Sequence, residues 1–572
     1  MPFTSPSPAA AVVEEGGPAA ESPGLIDRIG GLVRRCHLLP AGVAFAVLFV
    51  CLSLTPSLLP RPPLFQGIVS GAAGASGYGF GVFVAWCWRG LRDTQREPWP
   101  GWARSVLLVG SAAALVTSLV LGVRWQDEAH RLAGTEATPV AYALLAPPVA
   151  LLVAAALLAL ARGVRAVTRR AAGLLERRLK PSVARVLGVV LVGIVAWSLV
   201  SGVAGDAGLR ALDASFAIRD LETPSGVVRP TTALRSGSEQ SLVEWDSLGR
   251  EGRTFVGRGP TADEIAELTG RPAMEPIRAY AGLGNAEDAE DRAALAVDDL
   301  ERAGGFDRQH LLVVTTTGTG WVEPSAASGF EYVTGGDSAI VGMQYSHLAS
   351  WLSFLVDAAR AREAGRALFD AVYERWSVLP LDDRPELYVF GESLGSFGAE
   401  EAFSGEFDMN NRTSGALLVG PPNFNPLYRS FIDDRDPGSR EVEPVYRGGR
   451  IIRFTTRAER PQPEGELWPG SRVLYLQHAS DPVTWWSTDL LLTRPDWLEE
   501  TRGDDIPGSM RWMPFVTFLQ VSADLAGAFS TQPAHGHNFS GEHAAGWVNV
   551  VQPEGWTQDI TERLRQELAR YP

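Results

Sequence analysis

Apolar residues are concentrated in the first two hundred positions of this chain, where they form five long stretches. Each stretch has about the 20 residues that a helix needs to cross the hydrocarbon core of a bilayer, and none has a charge at its centre. The pattern predicts an all-α transmembrane bundle of about five helices over residues 37–205, after a disordered cytoplasmic N-terminus over residues 1–36. The stretches are residues 38–59, 67–88, 105–123, 139–161 and 184–204.

The arginines between these stretches predict the orientation of the chain. They concentrate before the first stretch, between the second and third, and between the fourth and fifth. Because basic loops stay on the cytoplasmic side, we expect a cytoplasmic N-terminus and, after an odd number of spans, an extracytoplasmic C-terminal half. The glycine-rich second stretch suits close helix packing. If it were a re-entrant segment instead, the C-terminal half would move to the cytoplasm.

The pattern changes after residues 206–275, a mixed segment interpreted as a linker that leads into the next domain. Short apolar runs then alternate with stretches of helical periodicity over residues 276–572. The runs are apolar throughout, as in parallel strands covered on both faces. This predicts an alpha/beta domain with a mostly parallel sheet, in which functional residues follow the carboxyl ends of the strands.

One predicted strand, Leu387–Phe390, leads directly into the sequence Gly391-Glu392-Ser393-Leu394-Gly395. The pattern G-x-S-x-G is typical of a sharp strand-to-helix turn that exposes a nucleophilic serine, and its glycines make room for that turn. A motif this short also occurs by chance, but the preceding strand and the helix-like stretch that follows support it. We interpret Ser393 as a nucleophile.

A serine nucleophile needs a histidine base and an acid that orients the histidine, and in this fold they follow in the chain order serine, acid, histidine. Asp481 comes shortly after the strand Val473–Leu476 and is the predicted acid, although an Asp-Pro step also starts ordinary turns. Asp489 is a weaker candidate because it falls in the next helical stretch.

The predicted base lies in a loop that contains three histidines. We favour His537, which follows a glycine, and keep His535 as the alternative. His543 lies farther along the same run. His478 is so close to the acid that we expect it to have a structural role.

The oxyanion hole is predicted to use backbone N–H groups from two loops. One is the N–H of Leu394, and the other comes from the loop after strand Leu311–Val314, among Gly318, Thr319 and Gly320. An ordinary glycine turn would look the same, but the loop lacks the lysine of a phosphate-binding loop. Four tryptophans are interpreted either as the lining of an apolar acyl pocket or as packing residues: Trp321, Trp351, Trp485 and Trp486.

Composition and charge narrow the class of protein. The 572 residues carry a net charge of −15, which argues against nucleic acid as a partner. Residues 1–205 carry +8 and the remainder −23, which suggests two parts in different surroundings. The three cysteines lie in the first 90 residues, and no Cys, His or carboxylate cluster has ligand spacing. No disulfide framework, metal or cofactor is therefore predicted.

These motifs together resemble a known family, the membrane-anchored bacterial alpha/beta-hydrolases of the Abhydrolase-9 type, which have an N-terminal multi-span domain. The resemblance covers nearly all of the chain after about residue 35, and it implies an alpha/beta-hydrolase fold and a serine-hydrolase mechanism but no particular substrate. Phe539 departs from the family pattern, in which we expect Tyr. The matching motifs are Thr55–Arg61, Gly77–Gly79, Thr316–Trp321, Gln344–Ser346, Phe390–Gly395, Tyr475–Pro482 and His535–His537.

The sequence therefore predicts a membrane-anchored serine hydrolase, similar to carboxylesterases and lipases, that cleaves an acyl ester through an acyl-enzyme. Its expected partners are the lipid bilayer and a lipid-like or cell-envelope ester. Two alternatives stay open: an acyltransferase that uses the same acyl-enzyme, and a membrane scaffold whose hydrolase domain is inactive. The oligomeric state is not predicted.

Overall fold

The computed structural model describes residues 38–92, 100–201, 215–349, 352–353, 358–465 and 467–571. The predicted disordered segment 1–36 and the candidate pocket residue Trp351 lie outside the described residues.

Five helices occupy the described part of the N-terminal region, one on each predicted apolar stretch. Three of them are long and apolar enough to cross a membrane, over Pro63–Leu91, Ser105–Leu132 and Ala141–Leu175. The first helix has 14 residues, about 21 Å, which is shorter than the roughly 30 Å of a hydrocarbon core. The helices are α1 Pro40–Ser53, α2 Pro63–Arg92, α3 Gly101–Leu132, α4 Ala141–Leu175 and α5 Pro181–Ser201.

The glycine-rich second stretch forms one continuous helix, α2, rather than a re-entrant turn. Its glycines allow close approach of two neighbours on two faces. A Cβ at Gly71 would lie 2.6 Å from the carbonyl oxygen of Ala150 in α4, and a Cβ at Gly77 would lie 2.5 Å from that of Phe45 in α1. Larger side chains would therefore push both neighbours away.

The first apolar stretch divides into a helix and a loop. Helix α1 ends at Ser53, shortly before Thr55, whose helical conformation is disfavoured by the proline that follows it. Residues 55–61, which we call the 55–61 loop, then leave the helical bundle. Leu58 and Leu59 in this loop are buried against Trp485 and Trp497 of the C-terminal half. Part of the predicted first span is thus an interface between the two halves of the chain.

The C-terminal half contains a seven-stranded parallel sheet with the strand order β1-β3-β2-β4-β5-β7-β6. This agrees with the predicted alpha/beta fold. Nearly every strand residue is buried, which explains the continuously apolar runs. The strands are β1 Ile277–Ala281, β2 His310–Thr315, β3 Ser338–Met343, β4 Glu386–Glu392, β5 Gly415–Val419, β6 Ile452–Thr455 and β7 Arg472–Leu476.

Helices cover both faces of this sheet and form two apolar cores. Helices α6 to α17 are α6 Gly249–Gly257, α7 Ala262–Thr269, α8 Ala289–Arg302, α9 Pro324–Val333, α10 Ala358–Ser377, α11 Leu394–Glu400, α12 Glu406–Arg412, α13 Pro426–Asp433, α14 Pro482–Trp485, α15 Val516–Asp524, α16 Glu542–Val551 and α17 Gln558–Leu568. Helices α8, α10 and α11 belong to one core, and α9, α16 and α17 belong to the other.

The segment expected to be a linker is folded onto the sheet over its described residues, 215–275. Leu248 and Val256 are fully buried in the second core. Arg278 on β1 donates to the carbonyl oxygen of Phe255 and forms two bonds, of 2.7 and 2.6 Å, to the carboxylate of Glu331 on α9. Both charged side chains are at most 3% exposed. This ion pair therefore joins the segment, the edge strand and a helix.

Glu331→Gln tests the importance of this buried pair. We expect the free energy of unfolding to fall by about 3–5 kcal/mol, because the change leaves the buried Arg278 charge without its partner. Thermal or chemical unfolding in detergent measures this. The control is Glu562→Gln, which removes an exposed partner of Arg565 and should cost less than about 1 kcal/mol. Equal effects of the two changes would contradict the prediction.

Candidate active site

Ser393 lies at the sharp turn between β4 and α11, at the carboxyl edge of the sheet. Its backbone has φ 54° and ψ −125°, a conformation that is unfavourable for a residue with a Cβ. The turn is held by neighbouring elements, since Ser393 N–H donates to Val419 O on β5 at 2.8 Å and Ser393 O accepts from Ser396 N–H at 2.9 Å. The residue is half-buried.

The glycines of the motif are required by close backbone contacts around this turn. A Cβ at Gly391 would lie 2.4 Å from Gly395 O, and a Cβ at Gly395 would lie 2.4 Å from Thr315 O at the end of β2. Helix α11 therefore begins directly against β2 and β4. This arrangement explains why the pattern needs glycine on both sides of the serine.

The structure brings Asp481 and His537 together. Asp481 is fully buried and lies directly before α14. It caps this helix, because its Oδ1 accepts from Val483 N–H at 2.8 Å. Its Oδ2 lies 2.6 Å from His537 Nδ1 and also accepts from the Thr484 hydroxyl at 3.2 Å. The carboxylate thus both caps the helix and binds the imidazole. Because a carboxylate accepts, Nδ1 carries the ring proton and Nε2 is left with a free lone pair.

The free nitrogen of His537 lies at the same strand end as Ser393. The backbone N–H of Ser393 donates to Val419 O. The imidazole of His537 lies against the next residue, Gly420, where a Cβ would be 2.4 Å from His537 Cε1. His537 is 2% exposed, and its buried Nε2 has no hydrogen-bond partner among the residues that the structure describes, Ser393 included. In unliganded enzymes such catalytic contacts are often long and shorten when substrate binds.

The alternative histidine, His535, lies on the other side of Gly536. Its Nδ1 is 3.1 Å from Pro533 O, and its ring lines a surface cavity of about 360 Å³ together with charged residues such as Arg457 and Arg565. The ring is half-buried and contacts solvent. The other candidate acid, Asp489, is exposed and accepts from the Ser487 hydroxyl at 3.2 Å. The structure therefore brings together His537 and Asp481, and not these alternatives.

The predicted oxyanion residues flank the turn at Ser393. Leu394 is the first residue of α11, where the N–H has no acceptor within the helix. The loop after β2 lies beside it, because β2 and β4 are neighbours in the sheet. Gly320 N–H is already used, since it donates to Thr317 O at 2.7 Å. In the described part of the chain, no acceptor is found for the N–H of Gly318 or Thr319, so these two remain candidates.

Two residues outside the predicted set hold this loop in place. Gln344, which follows β3, donates to Thr319 O at 3.1 Å, and the Tyr280 hydroxyl on β1 donates to Gly320 O at 2.7 Å. The Gln344 side chain also donates to Asp220 at 3.0 Å. The sequence did offer a signal, because Gln344 lies in one of the motifs that matched the family.

A series of hydrogen-bonded polar side chains links the turn at Ser393 to the helix that follows the loop after β2. We call it the elbow network, and its members are Glu392, His543, Ser325 and Glu323. His543 Nε2 lies 3.0 Å from Glu392, its Nδ1 lies 2.8 Å from the Ser325 hydroxyl, and that hydroxyl donates to Glu323 at 2.7 Å. Burial and the Glu392 charge raise the pKa of Glu323 to about 7. Burial alone lowers the pKa of His543, but the hydrogen bond and charge of Glu392 raise it.

The loop that carries His537 is anchored by a second histidine, His478. Its Nδ1 donates to Gly536 O at 2.8 Å and its Nε2 donates to Glu542 at 2.5 Å. Burial lowers the pKa of His478, but the Glu542 carboxylate outweighs burial and the net pKa is about 9. The ring also stacks on Phe539 at 4.1 Å, which accounts for an aromatic residue at this position. His478 has contacts that fit the expected structural role.

Two of the tryptophans considered for an acyl pocket have packing roles. Trp485 is 1% exposed and contacts Trp497 at a ring distance of 5.5 Å. Trp486 donates to the Ser522 hydroxyl at 2.8 Å. Trp321 is half-buried next to the oxyanion loop and is the described tryptophan that still fits a pocket lining.

Comparisons with known families agree with this architecture. A model described as an alpha/beta-hydrolase family matches residues 277–564, just over half of the chain. A model described as the N-terminus of an alpha/beta-hydrolase family matches residues 54–260. No curated protein and no solved structure matches the chain.

Glu542→Gln tests whether His478 is charged in the folded protein. A pKa raised from 6.5 to about 9 in the folded state gives stability that is complete below about pH 6.5 and is lost as the pH rises through 9. At pH 7 we expect the variant to be less stable than the wild type by on the order of 2 kcal/mol, and the gap should close above pH 9. Intrinsic tryptophan fluorescence during thermal unfolding measures it.

The matched control is Glu554→Gln, which changes an exposed carboxylate. Its stability should follow the wild type at every pH. A gap between Glu542→Gln and the wild type that is independent of pH would mean that the His478 interaction does not depend on charge.

Proposed function

Because this chain belongs to the alpha/beta-hydrolase family, we propose that it is a serine hydrolase that cleaves acyl esters, with Ser393, His537 and Asp481 as its catalytic triad. One observation carries the proposal. The imidazole of His537 has its Nδ1 fixed by Asp481 at 2.6 Å, while its buried Nε2 has no partner among the described residues, at the strand end that also holds the strained turn of Ser393. Such an arrangement is ready to accept a proton from a serine hydroxyl.

The proposed reaction proceeds through an acyl-enzyme. Ser393 Oγ attacks the ester carbonyl carbon while its proton moves to His537 Nε2, and Asp481 stabilises the imidazolium that forms. The oxyanion accepts from Leu394 N–H and from an N–H of Gly318 or Thr319. As the tetrahedral intermediate collapses, the C–O bond to the alcohol breaks and the alcohol takes the proton from His537. Water then attacks the acyl-enzyme by the same route and releases the acid.

An amphiphilic ester, such as a lipid or cell-envelope component, is the proposed substrate class. Two contacts support it. The carboxyl edge of the sheet, which carries all three proposed catalytic residues, is the edge that contacts the N-terminal half through Leu58 and Leu59. Phe529, which is 59% exposed, has its ring 4.9 Å from that of His537. An acyl chain that leaves the bilayer would find an apolar side chain beside the base.

The proposed topology has a cytoplasmic N-terminus and an extracytoplasmic catalytic domain. Its support is the alternation of arginine-rich and arginine-poor loops. The three long apolar helices fit a membrane protein. The surfaces of α3 and α4 support contact with lipid, because most of their apolar side chains, such as Val106, Val116 and Leu151, are exposed.

Ser393→Ala tests the nucleophile. Purified wild type should react with a fluorophosphonate probe, and the variant should lose both this labelling and roughly 10³-fold or more of its esterase kcat, because no other side chain replaces the attacking oxygen. His537→Ala should show a comparable loss. The matched control is His535→Ala, which should retain activity within a few-fold. Equal labelling of wild type and Ser393→Ala would exclude the proposed mechanism and favour an inactive scaffold.

Reporter fusions test the topology. Alkaline phosphatase fused after Pro572 should be active and green fluorescent protein fused there should be dark, since phosphatase folds outside the cytoplasm and the fluorescent protein inside it. Fusions placed in the loop between α2 and α3, which is predicted to be cytoplasmic, should show the opposite pattern and act as the control. A bright fluorescent fusion at Pro572 would reverse the proposed orientation.

A further inference from the structure

Asp524, at the end of α15, is a buried carboxylate for which the reaction has no direct use. Its side chain has no exposed surface, and its hydrogen-bond donors and ion-pair partner come from the 55–61 loop of the N-terminal half. Oδ2 accepts from the Ser57 hydroxyl, from Leu58 N–H at 3.1 Å and from Leu59 N–H at 3.4 Å. Oδ1 lies 3.4 Å from Arg61 Nε in an ion pair that is also buried. The loop thus surrounds the carboxylate with donors.

A second side chain of α15 binds the same loop. Gln520, one helical turn before Asp524, donates to Thr55 O at 2.9 Å and to Ser53 O at 3.3 Å. Next to these polar contacts, Leu58 and Leu59 are buried with Trp485 and Trp497. One face of α15 is therefore fixed to the end of α1 and the loop that follows it by hydrogen bonds, an ion pair and apolar contacts.

Helix α15 continues directly into the residues that hold His537. A 3-10 helix over Leu525–Ser530 follows Asp524. Within it, Ala528 O accepts from His537 N–H at 2.9 Å, and the ring of Phe529 contacts the imidazole. Four residues of continuous helical backbone thus connect the carboxylate of Asp524 to the carbonyl group that fixes the backbone of His537.

The N-terminal half also contacts the histidine loop directly. Gly134, after α3, lies so close to Gln532 that a Cβ there would be 2.7 Å from its Oε1. Gln532 comes five residues before His537 in the chain. The segment 525–536 therefore has an element of the N-terminal half near its start, next to Asp524, and near Gln532.

The buried Asp524 carboxylate depends on the 55–61 loop for the groups that stabilise its charge. Burial raises the pKa of Asp524 by more than the Arg61 charge and the donors of the loop lower it, and the net pKa is about 6. Without the loop, the Asp524 carboxylate would lose both its hydrogen-bond donors and its cover, so this face of the helix would become hydrated or move.

We propose that the 55–61 loop positions the catalytic histidine, with Asp524 as the positioning residue that transmits the contact through Leu525–Ser530 to His537. This inference rests on the proposed function, because it assigns His537 the role of base. It implies that the hydrolase domain reaches its active geometry only when it is docked on the N-terminal half, so that the membrane anchor is also a part of the active-site framework.

Asp524→Asn in the full-length protein in detergent tests this. The side chain keeps its shape but loses the charge that pairs with Arg61. We expect kcat for a short-chain p-nitrophenyl ester to fall roughly 10- to 100-fold, since displacement of a catalytic group by about 1 Å has effects of this size. KM should change by no more than about threefold, because a short ester makes few binding contacts. The rate of fluorophosphonate labelling should fall in parallel with kcat.

Hydrogen–deuterium exchange gives a readout that does not depend on activity. In Asp524→Asn, amides of residues 528–537 should exchange faster, whereas those of β4 should exchange as in the wild type. The matched control is Ser509→Ala, which removes another bond between the two halves, from Ser509 to Glu128 at 3.2 Å. Ser509 binds Glu128 of α3 and not the 55–61 loop, so this change should leave kcat and the exchange of 528–537 unaltered.

The outcomes separate this proposal from the proposed function. Wild-type kcat and wild-type exchange in folded Asp524→Asn, or an equal loss in Ser509→Ala, would overturn the positioning role. If Asp524→Asn does not fold, Ser57→Ala, which removes one bond and keeps the ion pair, must show a smaller loss of the same kind, and wild-type behaviour of that variant would overturn it as well. Absence of Ser393 labelling in the wild type would instead refute the proposed function, while the exchange data would still report on the loop.

Discussion

The turn at Ser393 depends on backbone contacts that only glycine permits. β4 ends, reverses and begins α11 within three residues, and it does so against the carbonyl oxygens of β2. The positive φ of Ser393 is unfavourable by itself, so the surrounding structure must hold it. It is held by the sheet bond to Val419, by the close packing of Gly391 and Gly395, and by the elbow network behind Glu392. These contacts fix the position of Ser393 at the carboxyl edge of the sheet.

The histidine is positioned by different means, because it lies on a long connection rather than at a strand end. Asp481 binds its ring, Ala528 binds its backbone, and His478 binds the carbonyl group of the preceding Gly536. Each of these partners is itself held: Asp481 caps α14, and His478 pairs with Glu542. A long connection does not by itself fix the position of His537. Several independent contacts therefore hold its ring and its backbone in place. The same reasoning is the basis for proposing that a contact as remote as that of Asp524 affects the position of His537.

Much of this arrangement could be predicted from local patterns. The continuously apolar runs predicted the parallel strands, and the short motif with a preceding strand predicted the turn at Ser393. The chain order of serine, acid and histidine, with the strand before Asp481 and the glycine before His537, favoured these two residues and left His535 as an alternative. The structure brings Asp481 and His537 together, although their catalytic roles stay a proposal. The contacts that could not be predicted join residues far apart in sequence, such as His543 with Glu392 or Asp524 with Arg61. No periodicity or spacing marks such a pair, because each partner alone resembles an ordinary charged residue.

The first apolar stretch also contains contacts that could not be predicted from the sequence. Leu58 and Leu59 continue the hydrophobic run of α1, and composition cannot distinguish residues that face lipid from residues that face another domain. Pro56 and Pro60 were the local signal for a helix end. The two leucines belong to an apolar cluster with Trp485 and Trp497, and this cluster forms only when the chain is folded.

Three buried pairs of ionisable side chains hold loops that surround the candidate site. They are Glu392–His543, His478–Glu542 and Arg61–Asp524. A buried pair adds little net stability, because desolvation of the two charges offsets their attraction. Its effect is on specificity, since any conformation that separates the charges leaves both unpaired in an apolar environment. The turns and loops that carry Ser393, Asp481 and His537 need such discrimination more than they need stability, and the apolar cores on the two faces of the sheet already provide the latter.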